Sequence, residues 1–398
     1  MGARVMFDFA EQMPHQAALP ALCQRARQHL PGWRERASVA EKNRRLNSAT
    51  FTELFAGGWL DLLSPGAPAT SSGHWPTLVE SARIAAMGCA STGWMLALVG
   101  GHSCIARRLP PSCQARLYAE GPRQLFASAS NSADSQLSFE AEGVRVSGRW
   151  RFSSGIENAT WLILNAPCPN HPDAERTPRF LLLVAAHKVQ KLDSWDSYGM
   201  AATGSHDVLA HQLLVPHEQA FPLNEIFGQR PLAPGADYID GLPLAPYLTT
   251  SIIGPLLGCA EGAHAEYVAT LAGSPLSSDP RYAEKVSHSS AQLYSARLLY
   301  DSLISRLHDA GVRSHALDAA QLLLLKRDRA YLARQCVQVV QRLVERLGAS
   351  SLVTGNPLQR HWRDIQAMAA HRDLVWSDAM LACGKNILLP VSTNTEPA

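Results

Sequence analysis

The chain is poor in most of the features that assign a protein quickly. Of its 398 residues only 18% are charged and 7% aromatic, and the net charge is +2. There is no dense Lys/Arg run, so the sequence carries no electrostatic footprint for nucleic acid. No stretch approaches about 18 uninterrupted apolar residues, so no membrane span is expected. The N-terminus has no charged region leading into a long apolar run, so no signal peptide is expected and the cytoplasm is the default compartment. The cysteines (Cys23, Cys89, Cys104, Cys113, Cys168, Cys259, Cys336 and Cys383) form no CxxC. They read as small buried apolar residues of a reducing compartment, not as a disulfide framework or a zinc site.

Catalytic motifs are missing as well. There are 15 histidines but no HExxH and no tightly spaced ligand pair with a carboxylate, so no metal is expected. No GxSxG elbow supports a serine hydrolase. No GxGxxG follows a strand and no Walker loop appears, so a nucleotide cofactor would not be held in the Rossmann or P-loop way.

What is present is a globular composition, 46% hydrophobic, on a chain long enough for two or three domains. Such a length can bury roughly three quarters of the unfolded surface without staples. The first part, to about residue 115, reads as helix. Phe51 to Ala56 is short, amphipathic and stopped by Gly57-Gly58. Thr77 to Leu98 is apolar on more than one face, which predicts one long helix buried on several sides. Pro110 and Pro111 then break the chain.

Near residue 125 the period changes. Val144, Val146, Gly148, Trp150 and Phe152 alternate with Arg145, Ser147, Arg149 and Arg151, a strand with one face inward. Trp161 to Asn165, Phe180 to Ala185 and Asp207 to Val215 are further strands. After a Pro/Gly-rich link, Pro222 to Pro246, the helical period returns. Leu293, Tyr300, Leu303 and Leu307 form one stripe, and Cys336, Val339, Val340, Leu343, Val344 and Leu347 another, with Gly348 as the expected C-cap. A last helix is predicted from about Leu358 to Cys383. Long helices of low charge imply a bundle that packs against other subunits. The order predicts three domains: N-terminal helices over 1–119, a central β domain over 120–225 and a helical bundle over 226–398.

Three segments invite chemistry. Phe152-Ser153-Ser154-Gly155 ends the alternating strand; it reads either as a Gly turn or as a clamp whose hydroxyls and amides meet the polar edge of a flavin. Trp195-Asp196-Ser197-Tyr198-Gly199-Met200 runs into Thr203-Gly204-Ser205. Pro357-Leu358-Gln359-Arg360-His361-Trp362-Arg363-Asp364 is followed six residues later by His371. His102, after Gly100-Gly101, reads alone as a structural histidine.

Together with Ser91-Thr92-Gly93-Trp94, the Gly148 to Gly155 run and Gly254 to Gly262, these segments resemble the acyl-CoA dehydrogenase fold from about Ala90 to Leu389. More specifically they resemble its oxygen-using branch, the two-component flavin-dependent monooxygenases typified by p-hydroxyphenylacetate hydroxylases. The resemblance implies a mainly α protein: N-terminal helices, a β-barrel-like middle domain and a C-terminal four-helix bundle that assembles as a homotetramer. It implies a flavin between the β domain and the bundle, received as FADH2 or FMNH2 from a separate flavin reductase and reacting with O2 through a C4a-hydroperoxide. Ser153 falls where the family places a hydroxyl beside flavin N5, His371 near C4a, and His102 facing the substrate. Ser154, Trp150, Thr203, Gly204, Ser205 and Arg363 fall with the cofactor. Gly348 and Ala349 lie in a turn that receives a neighbouring subunit's cofactor. Ser128, Ser130 and Trp195 fall with a small aromatic or amine substrate.

Chemistry separates the branches. A dehydrogenase of this fold needs a carboxylate to remove an α-proton from an acyl thioester. Between Glu345 and Glu396 there is no glutamate, and residues 242–260 contain no acid. An oxygenase needs instead a hydroxyl and a dry pocket to protect its oxygen adduct, and a histidine to handle a proton. Three departures from the family pattern bear on substrate and cofactor. Ala201 and Ala202 replace an Arg after Gly-Met, the Ala127 to Ser132 strand lacks its usual Pro and Gly, and no Arg stands near Leu271. Two rival readings stay open: an acyl-CoA dehydrogenase using Asp373 or Asp378, and a non-catalytic scaffold or binding protein.

Overall fold

A computed structural model describes residues 20–67, 74–130, 132, 134–171, 175–345 and 348–388. Five helices come first: α1 (Ala21–Lys42), α2 (Ser48–Ala56), α3 (His74–Gly88), α4 (Ala90–Arg107) and α5 (Pro111–Leu117). The strands are β1 (Phe126–Ala129), β2 (Gln136–Glu140), β3 (Gly143–Ser153), β4 (Trp161–Pro167), β5 (Arg179–Ala185), β6 (Gln190–Leu192), β7 (His206–Pro216) and β8 (Ala220–Pro222). Then come α6 (Leu223–Phe227), α7 (Leu244–Ser251), α8 (Ile253–Leu271), α9 (Pro280–Val312), α10 (Ala319–Val344), α11 (Pro357–Ala369) and α12 (Trp376–Ile387). Among the described residues no helix is long and apolar enough to cross a membrane.

The strands form two four-stranded sheets, ordered β1-β4-β5-β8 and β2-β3-β7-β6. Val144, Val146 and Trp150 from one sheet pack with Leu162, Leu164 and Leu182 from the other. This is the inner layer that a period of two dictates when one face of each sheet is covered. Trp150 is fully buried there, and its indole N–H donates to the Asn165 carbonyl at 3.1 Å, tying the sheets together.

The bundle is built around α8, which packs against α3, α4, α9, α10 and α11. Gly254, Gly258 and Gly262 recur every four residues on α8 and face the α3 backbone. A Cβ at Gly258 would lie 1.9 Å from the Arg83 carbonyl oxygen. Only glycine permits so close an approach. Side chains cap the bundle helices: Asp279 accepts from the Arg281 N–H, Asp318 and Gln321 form a capping box, and Asn356 accepts from Leu358 and Gln359. All the cysteines are free and buried.

Four details depart from the sequence reading. The helix expected from Thr77 to Leu98 is two, broken at Cys89, which adopts an extended conformation at the N-cap of α4. Nearly every position of both helices is buried, and no Pro or Gly pair marks the fold-back. The helix expected from Leu358 to Cys383 is also two, separated by a 3-10 turn over Arg372–Leu374. Phe152 does not join the inward face: it is 56% exposed, with φ of 63°. Gly348 does not cap α10, whose cap is Glu345; it opens the next 3-10 turn with φ of 73°. Cys336, Val339, Val340, Leu343 and Val344 form the buried stripe as expected, while Leu347 lies outside the described residues.

Candidate functional site

The site starts at the end of β3. Pairing with β7 slips between Trp150 and Ser153, a bulge that sends Phe152 outward and turns Ser153 inward. The Phe152 amide donates to Asp207 at 3.2 Å, and Arg149 holds the same carboxylate, so the strained residue is pinned. Ser153 is completely buried, and its hydroxyl has no hydrogen-bond partner among the described residues. Leaving a buried hydroxyl unpaired costs on the order of 1–3 kcal/mol. Such a cost points to a partner that the described residues do not supply.

The neighbouring hydroxyls are all committed. Ser154 Oγ lies 2.8 Å from Ser205 Oγ, Ser205 lies 2.7 Å from Thr203 Oγ1, and Thr203 donates to the Met200 carbonyl at 2.9 Å. The Gly155 amide donates to the Thr203 carbonyl, stitching the strand end to the Trp195–Ser205 loop. In that loop Met200 and Gly204 take left-handed backbone conformations. The Met200 amide donates to Asp364 on α11 at 2.6 Å. Trp195 spends its indole N–H on the Met200 and Ala201 carbonyls and sets its ring 6.2 Å from that of Phe152.

Helix α4 runs behind these groups as a rail. Trp94 meets His371 edge to face at 5.6 Å, Met95 and Val99 flank Gly155, and His102 reaches β1. Trp94 and His102 are eight residues apart, about 12 Å along the helix. His102 is buried; Nδ1 lies 2.9 Å from the Phe126 carbonyl oxygen, and Nε2 lies 3.1 Å from Ser128 Oγ. Burial pulls its pKa down to about 4, so the ring is neutral. A neutral ring donating from Nδ1 to the carbonyl leaves Nε2 to accept from Ser128. Ser130 is half-buried just beyond β1.

His371 is not on a helix. It occupies the break after α11, half-buried, with Nδ1 3.4 Å from the Asp373 amide and 3.6 Å from Asp373 Oδ2. Burial lowers its pKa, and Asp373 opposes that shift.

Comparison with known proteins decides the kinship. Residues 250–376 match the family described as acyl-CoA dehydrogenase, C-terminal domain. An FADH2-dependent resorcinol hydroxylase, oxygenase component, from Rhizobium sp. (strain MTP-10005) is 26% identical, over 89% of this chain and 91% of that one. XiaF from Streptomyces sp., solved in complex with FADH2 and glycerol, superposes with a TM-score of 0.83 at 23% identity, over 92% of this chain and 94% of that one. FMN-bound TdsC from Paenibacillus sp. A11-2 superposes with a TM-score of 0.76 at 20% identity, over 93% of this chain and 97% of that one. Over nearly its whole length the chain is similar to oxygenase components of flavin-dependent monooxygenases, and it has the acyl-CoA dehydrogenase-like fold.

Within this fold the residues present suit a flavin. The orphaned Ser153 hydroxyl is a ready donor or acceptor for a polar ring edge, and the Ser154–Ser205–Thr203 chain holds it in place. No carboxylate stands in for a dehydrogenase base on α8. Its two acids, Glu261 and Glu266, are held in ion pairs with Arg83 and Arg34. Among the described residues no group of three or more His, Cys, Asp and Glu is placed to hold a metal.

Trp150 and Arg363, both expected with the cofactor, are engaged elsewhere. Trp150 faces the interior of the sandwich, because strand alternation puts it with Val146 and not with Ser153. Arg363 is committed to the Tyr198 carbonyl, to Gln359 and to an ion pair with Glu41. Gly348 and Ala349 sit exposed on the turn between α10 and α11. Two contributors carried no sequence signal of their own. Asp364 was visible only as half of an Arg-Asp pair. Arg329, buried on α10 with its Nε unpartnered among the described residues, interrupts with Asp328 an otherwise apolar stripe.

Proposed function

We propose that this chain is the oxygenase component of a two-component flavin-dependent monooxygenase. It takes FADH2 or FMNH2 from a separate reductase and, with O2, hydroxylates a small aromatic or amine substrate in natural-product or aromatic metabolism. The reduced flavin supplies two electrons; one oxygen atom enters the substrate and the other leaves as water. The observation that carries the reading is the Ser153 hydroxyl, buried, unpartnered among the described residues and held at a bulged strand end. The full-length likeness to an FADH2-dependent hydroxylase supports it.

In this reading Ser153 meets the flavin edge, and Ser154, Thr203, Gly204 and Ser205 fix its position. His371 handles a proton at the far end of the α4 rail. His102, through Ser128, takes a proton on the substrate side, with Ser130 and Trp195 bordering the substrate. Arg363 serves the cofactor indirectly, by holding the loop. Gly348 and Ala349 serve a neighbouring subunit's cofactor in a homotetramer. Residues 1–119, 120–225 and 226–398 act as the three domains, and the free buried cysteines suit the cytoplasm.

The test is His371→Ala, assayed with a reductase, NADH and candidate phenols. The variant should keep consuming NADH but release H2O2 in place of product. Hydroxylation as efficient as that of the unaltered protein removes His371 from the chemistry.

A further inference from the structure

Asp373 meets His371 twice at one ring nitrogen. Its backbone N–H lies 3.4 Å from Nδ1, and its carboxylate Oδ2 lies 3.6 Å from the same atom. One nitrogen cannot use both. A neutral ring with a bare Nδ1 accepts the backbone N–H and carries its proton on Nε2. A protonated ring turns Nδ1–H toward the carboxylate, an opposite charge at contact distance. The 3-10 turn therefore offers a partner to either state without moving the ring, and the edge of Trp94 holds the ring from the α4 side.

The charges around His371 make Asp373 decisive. Arg372 from the same turn and Arg329 from α10 both disfavour a cation, as does burial; Asp373 alone favours it. Trp94, the α4 contact, is uncharged. Arg329 also bears on the Asp373 carboxylate through its charge. It is buried, its Nη1 donates to the Thr249 hydroxyl and to Thr250 Oγ1 at 3.2 Å, and its charge attracts Asp373.

We propose that Asp373 is the positioning residue for His371. Its amide fixes the neutral ring with the proton on Nε2, and its carboxylate, backed by Arg329, stabilises the protonated ring, so His371 gives up and regains one proton in place. The inference rests on the monooxygenase reading for its purpose but not for its test.

The experiment is histidine-ring NMR of the flavin-free protein with 15N-labelled histidine, the His371 signal being identified by its loss in His371→Ala. At high pH the shifts should report a bare Nδ1 and a protonated Nε2; the opposite tautomer overturns the proposal. In Asp373→Asn the proton affinity of His371 should fall about tenfold, one pH unit in its titration, and Asp373→Glu should restore part of it. An unchanged titration in Asp373→Asn also overturns it. Should Asp373→Asn fail to fold, the tautomer measured in the unaltered protein still decides. Failure of the unaltered protein to bind reduced flavin would sink the monooxygenase reading and leave the titration result standing.

Discussion

The Met200 amide donates to the Asp364 carboxylate at 2.6 Å, joining the loop that carries Thr203 and Ser205 to helix α11 across 164 residues of sequence. This bond sets the position of the hydroxyl chain behind Ser153. Asp364→Ala leaves a buried amide unpaired, which should cost about 1–3 kcal/mol of stability and weaken flavin binding. Asp364→Asn keeps an acceptor oxygen and should cost less. Denaturant unfolding of the two variants, with flavin titration of each, checks the order.

The same residue has a pH signature. Burial, opposed by the Met200 N–H, raises Asp364 to about 6, above the value of about 3.9 expected in the unfolded chain. Its contribution is therefore present below about pH 4 and is lost as pH rises through 6. Burial lowers His102 to about 4 and His361 to about 3, so their contributions are present above about pH 6.5 and are lost as pH falls. Asp364 thus offsets part of the acid lability of the two histidines. Removing it with Asp364→Asn should steepen the fall in stability between pH 6 and pH 4 by about 1.4 kcal/mol per pH unit. Unfolding curves at several pH values read this directly, and parallel pH profiles for the two proteins would contradict it.

Ser153→Ala separates function from stability. Its hydroxyl has no partner among the described residues, so removing it should leave the melting temperature unchanged or raise it slightly. Reaction of the flavin-loaded variant with O2 should release H2O2 faster. A marked loss of stability would mean that the hydroxyl has a structural partner after all.

Gly199 tests the seam between the loop and α11. A Cβ there would lie 2.2 Å from the Arg363 carbonyl oxygen. Gly199→Ala must push the loop off the helix, at a cost of about 1–3 kcal/mol. Thermal unfolding and flavin affinity should fall together, because the loop carries both the Asp364 bond and the Thr203–Ser205 chain.

Much of this was legible in the sequence, and the parts that were not share a cause. Strict alternation exposed β3, and the apolar stripe of Cys336, Val339, Val340, Leu343 and Val344 exposed α10. Those patterns are local, because each strand or helix repeats its own period. The breaks at Cys89 and at His371 are tertiary, since neither a Pro nor a Gly pair stands there. Phe152 continued the apolar alternation, but the bulge that turns Ser153 inward also reverses the faces. The family resemblance sets Trp150 with the cofactor, whereas strand alternation sends it into the sandwich. The His102–Ser128 pair joins two residues that the family resemblance sets beside the substrate; nothing in their spacing signals that they bond to one another.

The most direct measurement is anaerobic titration of the purified protein with FMNH2 and with FADH2, followed by rapid mixing with oxygenated buffer. Micromolar binding of one reduced flavin, then a long-lived transient absorbing in the near-ultraviolet before the oxidised flavin bands return, is the predicted result. Preferential binding of oxidised flavin that an acyl thioester reduces without O2, or no binding of either form, would contradict the monooxygenase account.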